Sequence, residues 1–460
     1  MTNFPTSAEV FYSLRDDRTN RCNVDRAYQH VECTVFFSPA ASTTAAAQAM
    51  LLVSANLLSR WCRKVNIVMP RVEMHAGLHM GSGDLSDFVT KQMGDADPFG
   101  EFRVQTSGNQ QGGTVLYIGY AAEELLNASG VFINASGWLA AISDKGTDLQ
   151  ACDEPNLLGA IVAACLGVAQ LFKIAVGGGS ERRIRSGIFD VFRLAWVEAQ
   201  AQGPWPDNLD VGRMLMVGAG SVGSSAVYCM RLCGLTGQLT AIDGDTVKIE
   251  NFNRSPIFGC ATYDLPKAEA VAGFLCGSSL DAAGERIWWD AFLERRGRVS
   301  FDYDLWLPLA NEFDVRRSMQ HNVPPLMIHA STTLNWGVNH GRHIPGLDDC
   351  LSDRFTVEVV ADDLGCSTGS ITTAEAVIDA ALPFASLFAG ALIAADLVRL
   401  LMPEYPQVPN FALFDWFGAL DTVQLWDRKP REGCICREQG ATLHDRFNSS
   451  TRYRHLFRCR

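Results

Sequence analysis

Apolar residues change their period along this chain in a pattern that occurs twice. Met214-Leu215-Met216-Val217 is a short apolar run; a glycine-rich turn follows, apolar positions recur at helical spacing to about Leu232, and Leu239-Thr240-Ala241-Ile242 closes the unit. Strand, turn, helix and strand in that order predict a βαβ unit. The same plan is readable near the N-terminus, in Thr34-Val35-Phe36-Phe37, a helical stretch from Ala45 to Trp61, and Val65-Asn66-Ile67-Val68. Far downstream of each copy lies a long apolar run, residues 157–176 and 381–402, with Pro155 ahead of the first and Pro383 opening the second. Both approach the length of a membrane span. Gln170 and Lys173 interrupt the first, Asp396 and Arg399 the second, so buried core helices are expected. The chain reads as one α/β domain written twice.

The stretch Gly177-Gly178-Gly179-Ser180-Glu181-Arg182-Arg183 suits a connector, which predicts a first domain over 1–180, a second over 181–427, and a basic segment over 428–460. That last segment holds Arg428, Arg431, Arg437, Arg446, Arg452, Arg454, Arg458 and Arg460, and is either a docking site for an acidic partner or a solvated tail. Composition adds limits. With 460 residues, 47% hydrophobic and 20% charged, the chain has enough apolar material for two cores, which excludes a mostly disordered protein. A net charge of −12 gives no support to a nucleic-acid-coating role. The 14 cysteines are scattered rather than grouped in a disulfide framework, and no secretory signal opens the sequence, so a reducing, cytoplasmic setting is expected.

The two copies differ at the turn that decides chemistry. In the first it is Ser38-Pro39-Ala40-Ala41-Ser42; in the second it is Gly218-Ala219-Gly220-Ser221-Val222-Gly223. Only the second has glycines that let phosphate approach the backbone at a helix N-terminus. A G-x-G-x-x-G motif alone also fits a dinucleotide dehydrogenase, with Asp243 on a ribose hydroxyl. The residues downstream of the turn separate the two readings: Asp243, Asp245, Asn251, Arg254 and Lys267 stand close together in sequence. Hydride transfer needs no cations over a third phosphate, whereas attack at an α-phosphorus expels pyrophosphate whose growing charge must be neutralised.

Residues 218–267, with this glycine motif, D-x-D, N-x-x-R and following lysine, resemble the ThiF/MoeB/HesA superfamily, which includes the ubiquitin-activating enzymes. The resemblance implies two Rossmann-like adenylation domains as a pseudo-repeat, the first inactive and the second active. It implies ATP and Mg²⁺ as cofactors, a ubiquitin-like protein as the partner whose C-terminus is adenylated, and a separate ubiquitin-conjugating-like enzyme. Neither nucleic acid nor membrane is expected as a partner, and homodimerisation is left open. Carried over residue by residue, Gly218, Gly220 and Gly223 would cradle the nucleotide, Asp243 would bind ribose, Asp245 would lie near the metal, and Asn251, Arg254 and Lys267 would contact the phosphates. The family also reaches the triphosphate with arginines from the partner domain's N-terminal segment, for which Arg15, Arg18 and Arg21 are candidates. One departure stands out: the family's further aspartate after a later strand has no counterpart in Leu326-Met327-Ile328-His329-Ala330-Ser331-Thr332-Thr333.

The resemblance next implies transfer of the acyl group to a cysteine, since a thiolate attacks well and leaves a reactive thioester. Cys366 is the first choice and Cys350 the second; Cys229, Cys233, Cys260 and Cys276 are expected to be packing residues. Many relatives bind structural zinc through two C-x-x-C pairs. Here Cys434-Ile435-Cys436 is a lone C-x-C that Cys350 or Cys459 would have to complete, so zinc is not favoured. The chain is most similar to the compact BilD-type activating enzymes of bacterial ubiquitin-like conjugation operons associated with antiphage defence. Sulfur-carrier adenylation and a non-catalytic scaffold are the alternatives.

Overall fold

The computed structural model describes residues 4–20, 26–107, 114–121, 129–177, 183–198, 201–297, 302–333, 336–354, 371–373, 376–378, 382–402, 408–415, 423–439 and 452–457. The first half begins with α1 (Ala8–Arg15) and α2 (Asp17–Asn20), then runs β1 (Glu32–Phe37), α3 (Ala45–Ser59), β2 (Lys64–Val68), α4 (Leu85–Ala96), β3 (Glu101–Gln105), β4 (Thr114–Ile118), β5 (Val131–Ser136), β6 (Leu139–Ser143), α5 (Leu158–Ala175), β7 (Gly187–Asp190) and β8 (Ala195–Val197). These eight strands form one sheet in the order β3-β2-β1-β4-β5-β6-β7-β8, parallel through β5 and antiparallel beyond it.

The second half repeats the plan. It runs β9 (Asp210–Val217), α6 (Ser221–Leu232), β10 (Thr236–Ile242), α7 (Lys267–Leu275), β11 (Leu280–Glu285), α8 (Trp289–Arg296), β12 (Leu305–Pro308), α9 (Phe313–His321), β13 (Met327–Thr332), β14 (Val338–His343) and α10 (Leu351–Arg354). The short hairpin β15 (Ile371–Thr373) and β16 (Ala376–Ile378), α11 (Pro383–Leu400), β17 (Phe411–Phe414), β18 (Val423–Trp426) and α12 (Ile435–Glu438) complete it. The sheet order β11-β10-β9-β12-β13-β14-β17-β18 matches the first sheet position for position, with the parallel-to-antiparallel change at the same place. The chain therefore consists of two Rossmann-like α/β units.

The two long apolar helices, α5 and α11, are almost wholly buried inside the protein and pack against each other where the halves meet. Small residues allow close approach: a Cβ on Gly390 of α11 would lie 2.4 Å from the Ser225 backbone of α6, and one on Gly159 of α5 would lie 2.4 Å from the Leu139 carbonyl. Phe172 of α5 meets Phe384 and Trp336 of the second half with ring centroids 5.7 and 5.3 Å apart. Arg399 of α11, fully buried and paired with Asp396 at 3.0 Å, donates to the Val191 carbonyl beyond β7. Within the basic C-terminal segment, the described residues 452–457 pack on β9, with Arg452 paired to Asp210 and Tyr453 donating to the Val211 carbonyl at 2.8 Å.

Candidate functional site

At the C-terminal ends of the second sheet's parallel strands lies a cavity of about 480 Å³ lined by Gly218, Gly220, Asp243, Asp245, Asn251, Arg254 and Lys267, among others. This is the crevice where open α/β sheets bind ligands. The three glycines do three different things. Gly218 has φ +99°, and a Cβ there would fall 2.5 Å from the Ala310 amide nitrogen. Gly223 leaves no room either, since its Cβ would sit 2.3 Å from the Gly218 carbonyl, so helix and turn are in contact. Gly220 is open, with nothing within 4 Å of a built Cβ. It is also the N-cap of α6, and no side chain caps that helix. Unspent N–H groups at a helix start, facing a cavity, favour an anion.

The acidic and basic groups divide in the same way. Asp243, at the end of β10, accepts from the amides of Ala219 at 2.7 Å and Asp245 at 2.9 Å, tying the glycine turn to the next loop. Burial raises its pKa, and Lys267 opposes that rise. Lys267 Nζ pairs with Asp245 at 2.8 Å, with the aspartate half exposed to the cavity. Asn251 folds back to accept from the Lys248 amide, and Arg254 donates to the Glu250 carbonyl and to Asn253 Oδ1.

The first half contributes to the same cavity through Arg18, which lines it. Arg15 does not. It is fully buried and pairs with Asp16 and Asp97, so it serves packing of the first half rather than the cavity. Arg21 lies outside the described residues.

The stretch read as lacking the family's carboxylate is β13, which is separated from the glycine-bearing strand by β12. The segment beside the glycine turn is the one after β12, where the Leu309 amide donates to the Val217 carbonyl. It carries Asn311 and Glu312 into the cavity lining. Both were missed because β12 is a four-residue run ending in Pro308, a weak strand signal. Trp288, 59% exposed and lying over Gly244, is a further lining residue that sequence patterning did not single out.

A second cluster lies outside this cavity. His343 at the end of β14, Cys350 before α10 and Cys436 in α12 bring their ligand atoms within 4.8 Å of one another, all buried. Cys436 Sγ is 3.3 Å from both Cys350 Sγ and His343 Nε2, and the buried Cys434 hydrogen-bonds Cys350. His343 Nδ1 lies 2.8 Å from the Asp349 carbonyl, which orients the ring and leaves Nε2 toward the sulfurs. Burial lowers the His343 pKa, keeping the imidazole neutral. Soft sulfur and neutral imidazole at these separations fit zinc. The expectation against zinc rested on an isolated C-x-C; the fold supplies it with two partners from a distant strand and loop.

Cys366, the expected nucleophile, lies outside the described residues. The Cys350 thiol is pushed up strongly by its hydrogen bond with Cys436 and by burial, which leaves it poorly suited to attack. Cys229 and Cys233 are buried as expected of packing residues, and Cys260 is half-buried. Cys276 departs from that reading, being exposed at the C-terminus of α7.

Comparison with known proteins matches most of the first half and the start of the second. Residues 32–186 match the family model of the BilD N-terminal domain, and residues 194–286 match that of the ThiF family. The chain is also 27% identical over 192 residues to the uncharacterized protein y4jF of Sinorhizobium fredii, an overlap covering 41% of this chain and 37% of that relative. ThiF-family members include ATP- and Mg²⁺-dependent adenylyltransferases that activate ubiquitin-like or sulfur-carrier proteins. With a BilD N-terminal domain followed by a ThiF domain whose glycine turn opens on an anion-ready cavity, the chain belongs to the ThiF/MoeB superfamily, in its BilD-type branch.

Proposed function

We propose that the second half adenylates the C-terminus of a ubiquitin-like protein, that the acyl group then passes to Cys366, and that a separate conjugating enzyme receives it, with the first half catalytically silent. The observation that carries this reading is the uncapped N-terminus of α6 facing a cavity that also holds Asp245, Lys267, Arg254 and Arg18. In the first step a C-terminal carboxylate oxygen of the carrier attacks the α-phosphorus of ATP. The bond from that phosphorus to the bridging oxygen breaks, and pyrophosphate leaves. The α6 amides hold phosphate oxygens, while Arg254, Asn251 and Arg18 face the charge that grows on the leaving group. Lys267, held by Asp245 until phosphate arrives, is free to exchange one anionic partner for another. Asp243 has lone pairs left for ribose hydroxyls. A divalent cation would neutralise phosphate charge, and the oxygens suited to hold it are those of Asp245 and Glu312. In the second step the Cys366 thiolate attacks the acyl carbonyl, a C–S bond forms, and AMP leaves with the electrons of the broken C–O bond.

The His343, Cys350, Cys434 and Cys436 cluster belongs to this reading as a zinc site that fastens the C-terminal segment to the strand and loop behind the cavity, and not as a place of reaction. The conjugating partner and a role in antiphage defence rest on the similarity to BilD-type proteins. Pyrophosphate exchange dependent on a ubiquitin-like protein tests the first step, with Arg254→Ala and Lys267→Ala each expected to reduce it roughly 100-fold. A thiol-sensitive conjugate lost in Cys366→Ala but kept in Cys276→Ala tests the second. Exchange without any such conjugate would indicate sulfur-carrier activation instead, and no ATP binding at all would leave the scaffold reading.

A further inference from the structure

The loop that carries Asn251 and Arg254 is gripped from the other half of the molecule. Arg60, which ends α3, is 2% exposed, and its guanidinium donates to three main-chain carbonyls of the second half: Phe252 at 2.6 Å and Phe258 at 3.0 Å through Nη1, and Pro256 at 2.7 Å through Nη2. Nε donates to Asn56 Oδ1 at 2.7 Å, and Asn56 Nδ2 donates in turn to the Pro256 carbonyl at 2.9 Å. One planar fork therefore gathers carbonyls from either side of Arg254 and closes residues 252–258 into a loop. Two further contacts from the first half extend the grip. Thr19 Oγ1 accepts from Asn253 Nδ2 at 3.2 Å, and Asp95 of α4 accepts from the Ala261 amide at 2.7 Å. Gly259 makes room for Asp95, since a Cβ there would fall 2.1 Å from its carboxylate.

We propose that Arg60 and Asn56 are positioning residues for the nucleotide chemistry of the opposite half, holding the 252–258 loop so that Asn251 and Arg254 present to the cavity. The proposal rests on the adenylation reading above. The energetics argue against a merely structural contact. A buried guanidinium hydrogen-bonded to carbonyls and an amide loses solvation that no directly bonded carboxylate among the described residues restores; burial lowers its pKa, the nearby Asp95 charge offsetting that only in part, and apolar groups of like shape are often as stable or more so. What the guanidinium provides and an apolar group does not is direction: five donors in a fixed plane specify where each carbonyl must lie. Lysine, with one freely rotating ammonium, could reach one or two of these carbonyls but could not set all three.

The test uses the full-length protein with Arg60→Lys and Asn56→Ala. Amide hydrogen exchange without nucleotide should be roughly ten-fold faster over residues 251–258 in Arg60→Lys, with β9, β10 and the first sheet unchanged. In pyrophosphate exchange the KM for ATP should rise roughly ten-fold while the KM for the ubiquitin-like protein stays within about two-fold. Asn56→Ala should move the same readouts in the same direction by a smaller factor. Parent-like loop protection and ATP kinetics in Arg60→Lys would overturn the proposal, and so would a uniform loss of protection across both halves with all kinetic parameters falling together. A parent chain that neither binds ATP nor exchanges pyrophosphate would fail the adenylation reading and this proposal with it. A competent parent with an equally competent Arg60→Lys variant would fail this proposal alone.

Discussion

The starts of α3 and α6 occupy the same place in two copies of one fold, and they have been treated oppositely. At α3, Thr44 caps the helix by accepting from the Ala47 amide at 3.3 Å, and Asp153 accepts from the Ala45 amide at 3.0 Å. The preceding turn is filled: Ala41 is buried, and a Cβ on Gly119 would fall 2.8 Å from the Ala41 methyl. At α6 the cap is Gly220, without a side-chain acceptor and with open space around it. The first half has spent its helix-start amides on protein oxygens, one of them a carboxylate that would repel phosphate; in the second no side chain caps them and they face the cavity. Silencing an anion site thus needs no change of fold, only an oxygen in the right place.

The comparison can be broken most sharply by giving α6 what α3 already has. Gly220→Asp places a capping carboxylate where there is room for it, so the protein should stay folded while ATP affinity falls by roughly 100-fold or more. Calorimetry of ATP binding beside a melting curve checks both halves of that statement. Next in size is the proposed zinc site at His343, Cys350 and Cys436, for which the first half has no counterpart among the described residues. His343→Ala or Cys436→Ser should take metal content from one equivalent per chain toward zero and lower Tm by roughly 5 °C or more, with ATP affinity changed little. Elemental analysis and calorimetry measure these.

A smaller effect concerns acid. His329 on β13 is fully buried beside Arg354, whose Nη1 is 3.0 Å from its Nε2, and burial followed by that guanidinium holds its pKa well below 6.5. The folded imidazole stays neutral and the unfolded one takes up a proton, so the stability it contributes is full above pH 6.5 and falls as the pH drops below it. Denaturant unfolding at pH 7.5 and 5.5 should show the loss, and hydrogen exchange should place it in the second sheet rather than the first. The smallest effect runs in the reverse direction: Asp153→Ala should cost about 1 kcal/mol of stability yet give the first half no affinity for ATP, because Thr44 and the filled turn remain.

The doubled βαβ core was legible because period and punctuation agreed there. The apolar run 214–217 lies within β9, the helical stretch from Ala45 became α3 ending at Ser59, and the two long apolar runs became α5 and α11. The glycine motif and the charged residues to Lys267 reach one cavity because the long connection from β10 to α7, residues 243–266, folds back on itself, the Lys267 amide donating to the Asp245 carbonyl at 3.0 Å. What patterning could not supply depends on chain segments meeting from far apart. Asn311 and Glu312 come after a strand too short to announce itself, and His343 meets Cys436 only because β14 turns antiparallel in the sheet. Arg60 finds its carbonyls 192 to 198 residues away. No local periodicity marks an arginine whose partners are backbone atoms of another domain.

The meeting of α5 with α11 has a consequence for stoichiometry. An assembly of two separate subunits would come apart on dilution and could pair like with like; here a peptide linkage keeps an unlike pair permanently together, one frame with a capped helix start and one with an open helix start. On the proposed reading, in which only the second frame binds nucleotide, each polypeptide brings the two frames together in a fixed ratio, and the first is at liberty to drift in sequence so long as it keeps its hold on its neighbour.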